Sequence, residues 1–132
     1  PVGIDVVVGI GGGSVLDAAK AIAGMLRTGR SVMDHLEIVG RGLPYAGPAT
    51  PFIAVPTTAG TGSEVARGAI IIVDDGRKLG FHNWELLPKA AICDPALTLK
   101  LPPGILTAAV ESKRDSHQLS YDWARRALPI WG

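Results

Sequence analysis

The run Ile4-Asp5-Val6-Val7-Val8-Gly9-Ile10, cut by Gly11-Gly12-Gly13 and followed at once by a helical pattern, constrains this chain more than any other stretch. β-Branched residues without clean alternation predict a strand buried on both faces, the environment of a parallel sheet. The glycines end that strand. Ser14 reads as the N-cap of the next helix, with Asp17 three residues on as the acid of a short-armed capping box. Val15, Ala18, Ala19, Ile22, Met25 and Leu26 then fall on one helical stripe, and Gly29 suits the left-handed residue that closes a helix. Strand, glycine turn and helix together make the opening half of a parallel β-α-β unit.

The remainder of the chain extends the same architecture. Residues 31–51 are rich in Gly and Pro without a sustained period, which predicts a loop with a short helical turn around 33–39. Phe52-Ile53-Ala54-Val55 is a second buried-strand candidate, stopped by Pro56. Residues 69–73 and 78–82 flank Asp74-Asp75-Gly76-Arg77, and an Asp-Gly dipeptide between strand-like runs signals an antiparallel hairpin. Ala90-Ala91-Ile92-Cys93 is a further short strand that Asp94-Pro95 terminates. Leu101-Pro102-Pro103-Gly104 introduces a predicted helix over 105–110. From Glu111 the composition shifts, so residues 111–132 are read as a separate, divergent tail, predicted helical, with Leu119, Trp123 and Leu128 on one stripe. The expected fold class is α/β: a mostly parallel, Rossmann-like sheet with helices on both faces and an antiparallel hairpin, in an incomplete domain.

Composition narrows the function classes. The 132 residues suit one small domain, and 47% hydrophobic with 19% charged residues argues against disorder. Thirteen basic and twelve acidic side chains leave a net charge of +1, so no basic surface points to nucleic acid or anionic lipid. A single cysteine, Cys93, excludes an internal disulfide framework and a cysteine-rich zinc site. No apolar run approaches a membrane span and no secretory leader pattern is visible, which makes the cytoplasm the expected compartment. The chain begins inside a strand-like run without a Met, as a piece of something longer would.

Two stretches can carry chemistry. A strand feeding a glycine turn and a helix N-terminus offers bare backbone, free N–H groups and the positive end of a helix dipole to an oxyanion. Gly9-Ile10-Gly11-Gly12-Gly13-Ser14 nearly fits G-x-G-x-x-G, but Ser14 replaces the last glycine, and Asp34, near the spacing of a ribose-binding acid, sits in the loop. Taken alone, the triplet is equally a plain tight turn, and no G-K-[ST] follows to make it a P-loop. The second stretch, Thr57-Thr58-Ala59-Gly60-Thr61-Gly62-Ser63-Glu64, sets four hydroxyls and two glycines after the carboxyl end of a buried strand, where open α/β sheets bind ligands. Its plainer reading is a loop whose hydroxyls cap a following helix, and both readings can hold together.

Gly11-Gly12-Gly13-Ser14-Val15-Leu16-Asp17-Ala18-Ala19-Lys20, the segment from Pro51 through Pro56-Thr57-Thr58-Ala59-Gly60-Thr61-Gly62-Ser63-Glu64-Val65, then Leu87-Pro88, Asp94-Pro95 and Leu101-Pro102-Pro103, resemble the iron-containing (group III) alcohol dehydrogenases in order and spacing. The resemblance covers residues 3–109 and makes residues 1–110 a partial dinucleotide-binding region. It implies an NAD- or NADP-dependent oxidoreductase passing hydride between an alcohol or aldehyde and nicotinamide, in a chain whose second, helical domain supplies iron or zinc. Gly11, Gly12, Gly13 and Ser14 would lie against the pyrophosphate, and Thr57, Thr58 and Thr61 would reach phosphate, ribose or carboxamide groups. Lys78 matches a lysine that contacts cofactor in relatives, although by itself it reads equally as a solvated hairpin lysine. Self-association into a homo-oligomer is compatible with the resemblance. The related glycerol and dehydroquinate-type branch shares the glycine triplet but not the threonine-rich stretch.

The resemblance breaks at the metal. Family members carry an Asp and a His four apart on one helical face just after the position of Ala109. This chain reads Val110-Glu111-Ser112-Lys113-Arg114-Asp115-Ser116-His117-Gln118 there, with Asp115 and His117 only two apart. On a helix, residues two apart point to different sides. His35 and His82 match no ligand position, so no metal ligand and no catalytic residue is assigned, and this chain alone is expected to bind no catalytic iron or zinc. The alternatives to a dehydrogenase are a non-catalytic dinucleotide- or phosphate-binding module and a truncated fragment without independent activity.

Overall fold

β1 (Val7–Gly11) and β2 (Phe52–Pro56) run parallel in a computed structural model, with Val7 opposite Phe52 and Gly11 opposite Pro56. The structure describes residues 3–38, 40–102 and 104. Parallel strands need a crossover, and α1 (Gly13–Met25) provides its helical part. After β3 (Gly68–Ile72) and β4 (Lys78–His82), β5 (Ala90–Ala91) joins the far edge of β2 in parallel, giving the order β1-β2-β5. β3 and β4 form a separate antiparallel pair from Gly68 opposite His82 to Ile72 opposite Lys78. The expected α/β class, parallel sheet and hairpin are all present. The predicted helix over 105–110 and the tail 111–132 lie outside the described residues.

α1 sits between two apolar layers. On the sheet side, Leu16 and Ala23 pack with Phe52 and Ala54. On the hairpin side, Ala21 joins Leu36, Tyr45, Ala69, Leu79, Phe81 and Leu86. This double contact corrects the predicted stripe. The buried positions of α1 are Leu16, Lys20, Ala21, Ala23 and Gly24, whereas Val15, Ile22 and Leu26 are exposed. An apolar pattern nearly all the way round α1 does not by itself say which sides are covered.

β1 differs from expectation for a related reason. Its side chains alternate, with Val8 51% and Ile10 62% exposed while Val7 packs towards α1. Among the described residues, α1 covers one face of the sheet and the opposite face of β1 is open. Two local expectations also change. The S-x-x-D capping box forms at Ser31 and Asp34, on a 3-10 turn spanning Val32–Asp34, and not at Ser14 and Asp17. Gly12 is the N-cap of α1, so Ser14 stands inside its first turn. In the hairpin, residues 73–77 close the loop through a Val73 N–H bond to the Arg77 carbonyl, with Gly76 at φ +83°. No helix among the described residues is long and apolar enough to cross a membrane.

Candidate functional site

The carboxyl ends of β1 and β2 lie side by side, and each opens directly into one of the two chemically suggestive stretches. The Thr57 N–H donates to the Gly11 carbonyl at 2.9 Å, tying the start of the hydroxyl loop to the start of the glycine turn. Beyond that tie the two stretches pack on each other. A Cβ added at Gly12 would meet Thr58 Cγ2 at 3.2 Å and Oγ1 at 3.3 Å, and one at Gly13 would meet Thr61 at 3.1 Å. Both positions leave little room for a side chain, because a Cβ there would stand tight against a threonine that would have to shift by a few tenths of an ångström.

The first turn of α1 is free to bind an anion. Its first helical hydrogen bond runs from Leu16 N–H to the Gly12 carbonyl at 3.0 Å, which leaves the N–H groups of Gly13, Ser14 and Val15 without intrahelical acceptors. No side chain caps this end and no acidic residue stands in its first turn, so the dipole is not neutralised from within the helix. Ser14 is exposed there. Beside it, Thr58 Oγ1 and Thr61 Oγ1 are buried atoms with no hydrogen-bond partner among the described residues. Buried hydroxyls without partners are costly, and their persistence next to an uncapped helix N-terminus fits a site completed by a phosphorylated ligand. Thr57 is half-buried and adds a backbone tie.

The far end of the hydroxyl loop is bound to α1 by a buried polar cluster. Lys20, 0% exposed, donates from Nζ to the carbonyls of Ser63 (2.8 Å), Ala66 (3.0 Å) and Gly68 (2.9 Å) and to Ser63 Oγ (3.2 Å). Asp17 accepts from Ser63 Oγ at 2.5 Å and from the Ile70 N–H at 3.2 Å, and its carboxylate lies 3.7 Å from the ammonium. Burial holds the Lys20 pKa below its usual value, with the Asp17 and Glu64 charges opposing that shift. Asp17 is therefore structural, as a bridge to β3 and not as a cap. A cleft of about 450 Å³ adjoins this cluster, lined by Thr61, Ser63, Arg67 and Trp84 among others, with the Arg67 guanidinium 4.8 Å from the Trp84 ring centroid.

Gly11, Gly12, Gly13, Ser14, Thr57, Thr58 and Thr61 thus come together at one end of the sheet. Lys78 does not join them. The hairpin runs along α1 so that Gly68 and Ile70 lie at its N-terminal half, bonded to Lys20 and Asp17, while Ile71 and Val73, like Met25 and Val32, pack against the core cluster that Ala21 joins. Lys78 is paired with Ile72 in that direction, and it is exposed. Sequence reasoning missed Lys20, because a lysine in a helical pattern reads as a solvated residue. The available signal was the three-residue spacing of Asp17 and Lys20, which sets both on one side of α1. No group of three His, Cys, Asp or Glu side chains that could hold a metal occurs among the described residues.

Unspent N–H groups and hydroxyls at the carboxyl ends of parallel strands are the equipment of an α/β unit that binds nucleotide phosphates. Sequence comparison narrows that class. Residues 2–95 match the iron-containing alcohol dehydrogenase family, and the chain belongs to it. It is 56% identical over 115 residues to a 4-hydroxybutyrate dehydrogenase of Cupriavidus necator, a match covering 87% of this chain and 30% of the relative. Its fold is similar to that of sulfoacetaldehyde reductase from Bifidobacterium kashiwanohense in complex with NAD+, with a TM-score of 0.73 and 36% identity over 80% of this chain and 28% of that one. It is also similar to an iron-containing alcohol dehydrogenase from Thermotoga maritima, with a TM-score of 0.70 and 35% identity over 82% of this chain and 28% of that one. The chain spans about a third or less of the length of these relatives.

Proposed function

We propose that this chain is the pyrophosphate-binding part of a nicotinamide-dependent alcohol dehydrogenase and that its ligand is NAD. The observation that carries this reading is the pairing of an uncapped α1 N-terminus with the two orphaned hydroxyls of Thr58 and Thr61. When bound, the nicotinamide would take a hydride from the carbon of an alcohol, leaving an aldehyde or ketone and releasing a proton. The chain's own residues do the holding. The N–H groups of Gly13, Ser14 and Val15 would donate to the pyrophosphate oxygens, the Ser14 hydroxyl is free to add a further bond, and Thr58 and Thr61 would donate to phosphate or ribose oxygens from the opposite side. Gly12 and Gly13 keep the turn narrow enough for both sets of donors to face one ligand.

The substrate proposed for the whole enzyme is a small alcohol or its aldehyde, by analogy with the dehydrogenases it is similar to. The family's metal has no donor set among the described residues, so no step is assigned to it. The spacing of Asp115 and His117 leads us to propose that the chain alone holds neither iron nor zinc, and elemental analysis finding a stoichiometric, tightly held metal would contradict this. Calorimetric titration with NAD+ tests the main reading. Saturable binding at one site, weakened in Thr58→Val, supports it; heat no different from buffer dilution removes it. Alcohol oxidation assays with added iron or zinc then separate an active enzyme from a module that only binds cofactor.

A further inference from the structure

We propose that the pocket beyond the C-terminal end of α1 binds a phosphate group, held by the guanidinium groups of Arg27 and Arg30 and by the unpaired ring nitrogen of His35. The pocket, of about 280 Å³, is lined by these three side chains together with Thr28, Tyr45 and Gly47 among others. The glycine turn stands at the opposite end of α1, a helix length of about 20 Å away, so this site is separate from the one read as binding NAD. Basic side chains at a helix C-terminus commonly bond its last carbonyls. Here those carbonyls have other donors. The Ile22 carbonyl accepts from Leu26 N–H at 3.0 Å, Ala23 from Thr50 N–H at 2.9 Å, Gly24 from the Tyr45 hydroxyl at 2.9 Å, and Met25 from Thr28 N–H and Oγ1 at 3.1 Å. The two guanidinium groups are therefore left over. Among the described residues neither has a carboxylate partner, whereas Arg41 lies 3.6 Å from Asp34 and Arg77 pairs with Asp75. Gly29, at φ +63°, turns the chain past the helix end, and Thr28 Oγ1 pins that turn by accepting from Arg30 N–H at 3.2 Å.

His35 supplies a second, independent sign of a ligand. It is 6% exposed, with its ring edge-on to Tyr45 at 5.3 Å between centroids. Its Nδ1 lies 3.0 Å from the Leu43 carbonyl, which can only accept, so Nδ1 carries a proton. Nε2 is buried without a hydrogen-bond partner among the described residues, and in the neutral ring it is an acceptor in need of a donor. Near neutral pH part of inorganic phosphate keeps one P–OH, which can donate to Nε2 while the other oxygens accept from the guanidinium forks. Sulfate offers acceptors alone. No acidic side chain lines the pocket among the described residues. Glu85 comes close to Gly47 but faces the Ala49 N–H at 3.5 Å.

Titration with inorganic phosphate and, in parallel, with sulfate, followed by amide and imidazole NMR with and without NAD+, tests the proposal. Saturable shifts at Thr28, Arg30, His35 and Gly47 are expected in both conditions, with phosphate bound more tightly than sulfate. Arg27→Gln and Arg30→Gln, both at exposed positions, should each raise the phosphate dissociation constant about tenfold, the loss of a charge-assisted bond. His35→Asn keeps a donor for the Leu43 carbonyl and removes Nε2, and it should bring phosphate binding down to that of sulfate. Glycerol phosphate distinguishes the source: binding at least as tight as inorganic phosphate assigns the site to a small phosphorylated metabolite, and weaker binding assigns it to the free ion. Phosphate shifts confined to the glycine turn, sulfate bound as tightly as phosphate by the wild type, or arginine variants that bind phosphate undiminished would each overturn the proposal. The arginine variants decide it alone should His35→Asn fail to fold.

Discussion

Thr58 is the residue on which the site turns, because its hydroxyl is buried, unpartnered and pressed against Gly12. Thr58→Val removes the hydroxyl at nearly constant shape. Without ligand the variant is expected to be equally stable or more stable, by up to about 1 kcal/mol, since an unsatisfied buried polar atom is gone. With NAD+ it is expected to bind about tenfold more weakly, a loss of one hydrogen bond to a charged group. Thermal unfolding with and without cofactor reads both signs in one experiment. Gly12→Val should weaken binding for a different reason: its side chain would collide with Thr58 and spread the turn from the loop. Lys20 adds a pH signature. Burial lowers its pKa in the folded state below the ordinary 10.5 of the unfolded chain, so between those values the unfolded chain binds more protons and stability rises with pH. Cys93 and Tyr45, both raised by burial, act in the opposite sense near and above their ordinary values of 9.0 and 10.0. The difference between wild type and Lys20→Met in denaturant unfolding from pH 7 to 10 isolates the lysine, and wild type should show the more positive slope. The glycines and threonines of the site were legible because their chemistry is local to their stretches. Lys20 was not, since nothing in its neighbourhood in the chain announces that three distant carbonyls converge on it.

At the scale of elements, β1, β2 and the hairpin follow from β-branched runs and turn residues, and the structure places them close to where those signals stand. The faces were harder to read. α1 is apolar on several sides, so the stripe through Val15, Ile22 and Leu26 was a choice that only the sheet and hairpin could decide. Leu16 is 0% exposed against Phe52 and Ala54, and Leu16→Ala should destabilise the protein by about 2–5 kcal/mol, measured by denaturant unfolding. Val15→Ala, on the stripe expected from the sequence, should cost far less, because half of that side chain meets solvent. The two S-x-x-D signals illustrate the same limit. Both satisfy the pattern, but Asp34, although it also lies 3.6 Å from Arg41, still reaches the Ser31 N–H, whereas Asp17 finds Ser63 and Ile70 across the fold and leaves the start of α1 uncapped. That uncapped start leaves the N–H groups of Gly13, Ser14 and Val15 without intrahelical acceptors.

For the whole molecule, the strand order β1-β2-β5 with α1 on one face is similar to part of longer α/β relatives, of which this chain spans about a third or less. The open side of β1, with Val8 and Ile10 exposed, is unreadable from the run itself: a strand buried on both faces and one buried on a single face can share the same β-branched sequence. What the described residues do hold entire is the meeting of two loops at the carboxyl ends of β1 and β2. We propose that this meeting point binds the phosphates of NAD. Amide-resolved NMR titration with NAD+ tests it most directly. The largest shifts are expected on the N–H groups of Gly13, Ser14, Val15, Thr58 and Thr61, while those of β4 around Lys78 move little. Saturating NAD+ that leaves the first five unmoved, or that shifts only residues away from both loops, would contradict it.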